Sequence, residues 1–586
     1  MKETIPERFG IKPHAYRSRA NRQIALGAVL LVGTAWLTSV GHPGVAALPG
    51  LVGVFLLWVG GTLRREGAVV QILNRALHAV TVGDVEGAEL LHRAAERDHR
   101  LRSSRRRSLA MQRALLAIRV GGLATALEHI EAALVLPMSW LSRSEEGLQR
   151  ISALAIRAFL RAARGDAELA KEDIDAVRAA EHKTPDALAR VALAEAVTLQ
   201  RRGQRAALRE HLRVHRTLLA SHTNGRERLL VRGLERMLAS QPDSVYRTPA
   251  EVDTAVPDGW LSEIAPGVAS FVPARDPGPP IPDVRVDGAQ TDDARKRLHA
   301  LPRKAAGVAW KTLALWVLLI VMLFAIFQLM GHASLSPTTR TASSSAFDLS
   351  EIAAVGAALI ALALFVIYVR KNARDALRLW AGQVQRAVGD VAGARATFTA
   401  LRRGAAMTAA SAEQQLAAMA LHDGDEPQAR ALVEEAIGRF TEPLRALSSD
   451  FLYPSLIEDR AVLTASAGDV DEAAAELRML REEYSSYPFM ERAVRRVTLM
   501  IAVQSDDYET AAHIADASVD ITFSAREDLL IDVASAVVGA TNRTPGEIDR
   551  LQDLLAPPSD EREWLEAVAP DLLDAFDGAV RDDERE

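Results

Sequence analysis

Apolar and polar positions alternate on two length scales along this chain. Four stretches are apolar for long enough to cross a bilayer, which takes about 20 residues. They run from about Ile24 to Val40, about Val45 to Leu63, about Val308 to Met330, and Ile352 to Val369. Between and after them, segments 64–240 and 370–540 repeat apolar residues at helical spacing, broken by short Gly-Asp turns. The pattern predicts an all-α chain: two transmembrane helical hairpins, each followed by an α-solenoid of about four helix pairs. The parts fall at 1–63 (basic segment and first hairpin), 64–240, 241–306 (linker), 307–369 (second hairpin), 370–544 and 545–586 (acidic helical tail).

Basic residues set the expected orientation. Lys12, Arg17, Arg19 and Arg22 precede the first span, and Arg64 and Arg65 follow the second. Arg303, Lys304 and Lys311 precede the third, and Arg370, Lys371 and Arg374 follow the fourth. The turn Gly41 to Gly44 has no charge, and the loop 331–351 carries Arg340 against Asp348 and Glu351. The positive-inside rule then places both termini and both soluble segments in the cytoplasm of a multi-pass protein, in a membrane of the bacterial inner or plasma type. The first span has the look of a secretory signal, but the second follows so closely that an uncleaved hairpin fits better. No ionisable residue lies in the middle of a span, which favours anchoring over ion transport. Ala353, Ala357 and Ala361 form a stripe on the fourth span, either a close helix contact or chance in an Ala-rich helix.

The turns have a register. They fall at Gly83, Gly121, Gly165 and Gly203, then at Gly389, Gly424, Gly468 and Asp506, spaced by 38, 44 and 38 and by 35, 44 and 38 residues. Seven positions before each stand Ala76, Ala114, Ala158, Ala196, Gly382, Ala417, Ala461 and, as the exception, Leu499. Five positions after stand Ala88, Ala126, Ala170, Ala394, Ala429, Ala473 and Ala511, with Leu208 the exception. Small residues at matched slots let two antiparallel helices cross closely. A third slot holds Ala95, Ala133 and Ala436. With the segments Gly121 to Pro137 and Gly424 to Phe440 as its best copies, this pattern resembles the tetratricopeptide-repeat superfamily, though most helix-A aromatics are missing and the period is longer. The resemblance implies stacked helix pairs that bind protein segments. Gly41-His42 and Gly331-His332 occupy the same place in both halves, as a tandem duplication would leave them.

Segment 241–306, with VPARDPGPPIPDV, reads as extended linker; Gly259 to Val272 is the piece that could dock on a repeat. Charge divides the halves. Residues 63–240 carry 31 Lys and Arg against 21 Asp and Glu, a net of +10, whereas residues 370–586 carry 23 against 41, a net of −18. The basic excess peaks at Arg100, Arg102, Arg105, Arg106 and Arg107. These are candidate contacts for anionic lipid head groups or an acidic partner, unless the two halves attract each other or the run is a solvated loop. Nucleic acid is not expected, because no stacking aromatics are interleaved.

Chemistry leaves little trace. There is no cysteine, phosphate-binding loop, nucleophile elbow or kinase motif set. His211 and His215 share a helix face, but zinc needs a third ligand, so they read as surface residues and no metal or cofactor is expected. Asp84, Asp166, Asp390 and Asp469 are explained as helix N-terminal residues. The expectation is a membrane-anchored scaffold that binds unknown protein partners through its repeat surfaces at the cytoplasmic face, and not an enzyme. The rival readings are an accessory subunit of a membrane transport or channel complex, and an enzyme whose site is not visible.

Overall fold

The computed structural model describes residues 43–97, 101–138, 143–239, 260–265, 267–268, 288–300, 371–372, 374–440, 451–484, 487–514, 521, 523–539 and 547–583, with parts of 21–39. Among them the regular structure is helical throughout, with no strand. The chain divides into two compact units: residues 1–72, 304–377 and 403–408, and residues 73–303, 378–402 and 409–586.

In the first unit, helical residues 27–35 lie against the start of a 40-residue helix, α1 (Pro43–Val82). The two meet at glycines. A Cβ on Gly27 would stand 2.8 Å from the Gly53 carbonyl oxygen, and one on Gly53 would stand 2.9 Å from that of Gly27. A Cβ on Gly50 would stand 3.1 Å from the Thr34 side chain. The glycines that weaken these stretches as apolar runs are thus where two backbones touch.

Among the described residues no helix is long and apolar enough to cross a membrane. The two expected transmembrane hairpins therefore lack structural support. The second apolar run does not end as a helix at Leu63: α1 carries on through Arg64, Arg65 and Glu66 to the first repeat turn. The third and fourth runs, and with them Ala353, Ala357 and Ala361, lie outside the described residues.

The second unit is built of helix pairs. In the first half the end of α1 pairs with α2 (Val85–Arg97), α3 (Ser103–Arg119) with α4 (Leu123–Val135), α5 (Arg143–Arg164) with α6 (Ala167–Ala179), and α7 (Pro185–Arg201) with α8 (Arg205–Val214). Helices α9 (Arg216–His222) and α10 (Gly225–Ala239) close that half. Two helices come from segment 241–306, α11 (Trp260–Ile264) and α12 (Gly288–Ala300). In the second half α13 (374–387) pairs with α14 (Val391–Leu401), α15 (Ala406–His422) with α16 (Glu426–Gly438), α17 (Leu452–Ser466) with α18 (Val470–Glu483), and α19 (Met490–Gln504) with α20 (Tyr508–His513). Helices α21 (Ala525–Val537), α22 (Glu547–Leu555), α23 (Asp560–Val568) and α24 (Pro570–Asp583) follow, the last three in the acidic tail.

All eight turn residues are left-handed, with φ from 56° at Asp506 to 91° at Gly165. Each closes the same two hydrogen bonds, as when the Gly83 amide donates to the Val80 carbonyl and the Asp84 amide to the Ala79 carbonyl. This Schellman arrangement satisfies the last carbonyls of the first helix while reversing the chain. The next residue starts the second helix. Asp84, Asp390, Asp425 and Asp507 accept a backbone amide three residues on, at 2.8 to 3.1 Å. Asp166 and Asp469 hold the same position without a side-chain cap bond.

The small-residue slots are the crossing points. All the alanines named for the three slots are at most 3% exposed, and Leu499 and Leu208 are as buried. The exceptions are compensated within their own pairs, Leu499 by Ala511 and Leu208 by Ala196. Gly382 has the tightest site: a Cβ there would fall 2.6 Å from a Phe398 ring carbon, and Phe398 is fully buried. An array of such pairs buries a continuous core that no single pair could.

Segment 241–306 is more than a linker. Leu261, Ile264, Ala265 and Val268 are buried in the first-half core, so Gly259 to Val272 docks in part, as an apolar pattern on one face allows. The Arg201 guanidinium anchors it by donating to the Glu263 carbonyl at 3.0 Å and the Ile264 carbonyl at 3.2 Å. Helix α12 packs on α18, with Leu298 in the second-half core, and Arg295 and Arg297 pair with Glu483 and Glu472. The reading of this segment as extended chain is corrected there: few positions need be apolar when the partner surface is acidic.

Candidate functional site

The first helices of consecutive pairs pack side by side, α5 on α7 and α17 on α19, with α19 on α21. In the second half a row of charged side chains crosses them. Its centre is Glu458, a fully buried carboxylate on α17. Arg492 of α19 donates to it twice at 2.9 Å, Arg496 once at 2.7 Å, and the Tyr487 hydroxyl once at 2.7 Å. Burial pushes this carboxyl up, but the two guanidinium groups prevail and hold it down at about 2. Next to it, Asp459 accepts from Gln414 of α15 at 2.7 Å and from Arg496 at 3.1 Å. Burial wins there, helped by the Glu458 charge, and its pKa is raised. Neighbouring carboxyls on one helix thus titrate apart because one collects four donors and the other two.

Arg496 extends the row to Glu527 on α21 at 2.6 Å. Glu527 also completes a capping box with Ser524. Burial raises its pKa, but Arg496 and the Ser524 bonds outweigh that and the net shift is downward. The following turn of α21 reaches the first half. Asp528 pairs with Arg228 of α10, and Asp532 with Arg232 at 3.2 Å. Arg228 also donates to the Phe523 carbonyl at 2.5 Å and the Ala220 carbonyl at 2.6 Å. On α10, Glu227 accepts from Arg190 of α7 at 3.0 Å. The row so runs from α15 to α7 and ties the two halves together.

Burial raises the pKa of Asp528 and lowers that of Arg228, so desolvation dominates on both sides of that pair. Such a pair adds little net stability. Breaking it is costly, however, because a buried charge is left alone. It therefore acts to fix register between the halves, a first-half cation on a second-half anion, in the sense of the charge division. Arg492 and Arg496 stay partly exposed, at 28% and 17%, so one side of the row reaches solvent.

The basic cluster does not act as one surface. Arg107 is buried: it pairs with Glu146 at 3.2 Å and donates to the Ala133 and Leu136 carbonyls at 3.1 and 2.7 Å. It is withdrawn as a lipid contact, since its charge is spent joining α3 to the end of α4. Arg105 is half-buried, Arg102 and Arg106 are exposed at the start of α3, and Arg100 lies outside the described residues.

The sequence reading missed the row, although one signal was present. Glu458, Asp459 and Arg460 are consecutive within an otherwise apolar helix. At 100° per residue three successive charges cannot all face water. Arg460 indeed turns the other way, to Glu476 of α18. Burial carries Glu476 up to about 7, with Glu472 adding to the rise and Arg460 opposing it.

Among the described residues, one group of side chains could hold a metal ion: Glu195 on α7 with His211 and His215, their ligand atoms all within 4.8 Å of one another. The structure supplies the third ligand that the i, i+4 histidine pair lacked in the sequence. No family model, curated protein or solved structure matches the chain, so its function rests on this geometry alone.

Proposed function

We propose that the chain is a membrane-anchored helical-repeat scaffold that assembles protein partners at the cytoplasmic face. The observation that carries this reading is the charged row across the first helices of both halves. It joins the pairs through α10 and α21, and it leaves Arg492, Arg496 and Asp459 partly exposed on one face. A partner segment would find fixed charges and few mobile side chains, which lowers the ordering cost of binding. Repeat arrays suit this work because adjacent pairs extend one surface. Anchoring is supported by the apolar runs and their basic flanks, and by the glycine crossing of Gly27 on Gly53, a way for helices to associate in lipid.

The test uses the whole chain, tagged and captured from membranes in mild detergent. A specific protein is expected with the native chain, lost with Arg228→Asp, and recovered when Asp528→Arg is added. Recovery of the same protein by Arg228→Asp would detach partner binding from the row. Anchoring is tested separately: release of the chain from membranes by an alkaline carbonate wash would end that part of the proposal.

A further inference from the structure

The structure assigns a site for a divalent transition-metal ion to Glu195, His211 and His215, at the joint between α7 and α8. The two histidines stand one helical turn apart, with ring centroids 4.6 Å apart, and Glu195 reaches them from the facing helix. All three are half-buried, so an ion can enter without opening the core.

The histidine hydrogen bonding is arranged as a metal requires. His211 Nε2 lies 2.8 Å from the Ala192 carbonyl oxygen. A carbonyl only accepts, so that nitrogen carries the proton and neutral His211 presents its lone pair at Nδ1. A ligating imidazole commonly donates its other N–H to a backbone carbonyl, which fixes tautomer and ring orientation. Arg178 donates to Glu195 Oε2 at 2.8 Å, which leaves Oε1 for the ion and orients the carboxylate.

Two imidazoles and one carboxylate select zinc, cobalt, nickel or copper over magnesium and calcium. Three protein ligands leave a position for water. No carboxylate is assigned as a general base, so the expected role is a clip: the ion would tie α8 and the His215 end of the fourth pair to α7, beside the α10 arm of the charged row.

The experiment titrates the purified full chain in detergent at neutral pH with Co²⁺ alone. One equivalent should bind with visible d–d absorption, and Zn²⁺ should displace it and raise the melting temperature. His211→Gln, His215→Gln and Glu195→Gln should each weaken Co²⁺ binding at least about tenfold, since losing even an outer-shell partner of a ligand costs that much. Circular dichroism checks that each variant keeps its helices. Unchanged binding in folded variants would overturn the assignment. Copper loaded onto the native chain gives a reading that needs no variant: its electron paramagnetic resonance should show coupling to two imidazole nitrogens. No bound copper, or coupling to fewer than two, would equally overturn it.

Discussion

The two halves of the repeat unit solve the same problem in different ways. Each must bury arginines or carboxylates where first helices meet their neighbours. The basic half places several of its buried arginines on backbone carbonyls, beside ion pairs such as Arg107 with Glu146 and Arg157 and Arg161 with the buried Asp173. Arg119 donates to the Val80 and Thr81 carbonyls at 2.8 and 3.0 Å, Arg226 to the Arg119 carbonyl at 2.9 Å, and Arg107 to those of Ala133 and Leu136. Helix C-termini expose unpaired carbonyls with a partial negative charge, so a guanidinium needs no full counter-charge there. The acidic half instead gathers arginines around buried glutamates: Arg402 and Arg439 on Glu413, Arg492 and Arg496 on Glu458, Arg460 on Glu476. A carboxylate only accepts, and helix interiors have no spare amides, so it must recruit cations. A buried carboxylate recruits arginine in either half, but the basic half leans more on helix-end carbonyls, which let it bury arginine without spending an acid.

Removing one key group from each half tests that contrast. Glu458→Gln removes the carboxylate that Arg492 pairs with and one of those on Arg496, and should cost the most, about 3–5 kcal/mol, the range for breaking a buried ion pair. Urea unfolding in detergent, followed by circular dichroism, measures it; a cost under about 1 kcal/mol would mean that the pair behaves as an exposed one.

Glu476→Gln should act with the opposite sign. The folded pKa of about 7 lies above the ordinary glutamate value of 4.5. The stability this group contributes is full below the ordinary value and is lost as pH rises through the folded value. The variant should keep roughly 3 kcal/mol more than the native chain at pH 8 and little more at pH 4, since one pKa unit is worth about 1.4 kcal/mol. Parallel pH profiles of the two urea midpoints would refute this.

In the basic half, Arg119→Met leaves neutral carbonyls in place of a charge. It should cost about 1–2 kcal/mol, the loss of hydrogen bonds to a charged donor. If its urea midpoint fell as far as that of Glu458→Gln, the proposed difference between the halves would fail.

The smallest effect concerns the turns. Asp506 is the one non-glycine residue with positive φ among the described residues, at 56°. Asp506→Gly should stabilise by about 0.5–1 kcal/mol through relief of that conformation, offset in part because the Tyr508 hydroxyl loses its bond to Asp506 at 2.8 Å. A lower melting temperature would show that this bond outweighs the strain.

The helical class, the eight turns and the small-residue crossings were legible in the sequence because each depends on local chemistry. A left-handed turn demands glycine, or at some cost aspartate, wherever it sits, and a close crossing demands alanine or glycine at a fixed distance from it. The docking of α11 was named only as a possibility, and the docking of α12, the recruitment of Arg107 into the interior and the row from Gln414 to Arg190 were not legible. Their residues lie far apart in the chain: Arg228 and Asp528 are 300 positions apart. A charge carries no mark of its partner, and a helix face is called inner or outer only by what packs on it. Glu195 belongs to the same class, since a lone glutamate on α7 gains meaning only once α8 folds back to set His211 and His215 before it. Local sterics wrote the turns, but long-range electrostatics and packing chose the partners, and those exist only in the assembled fold.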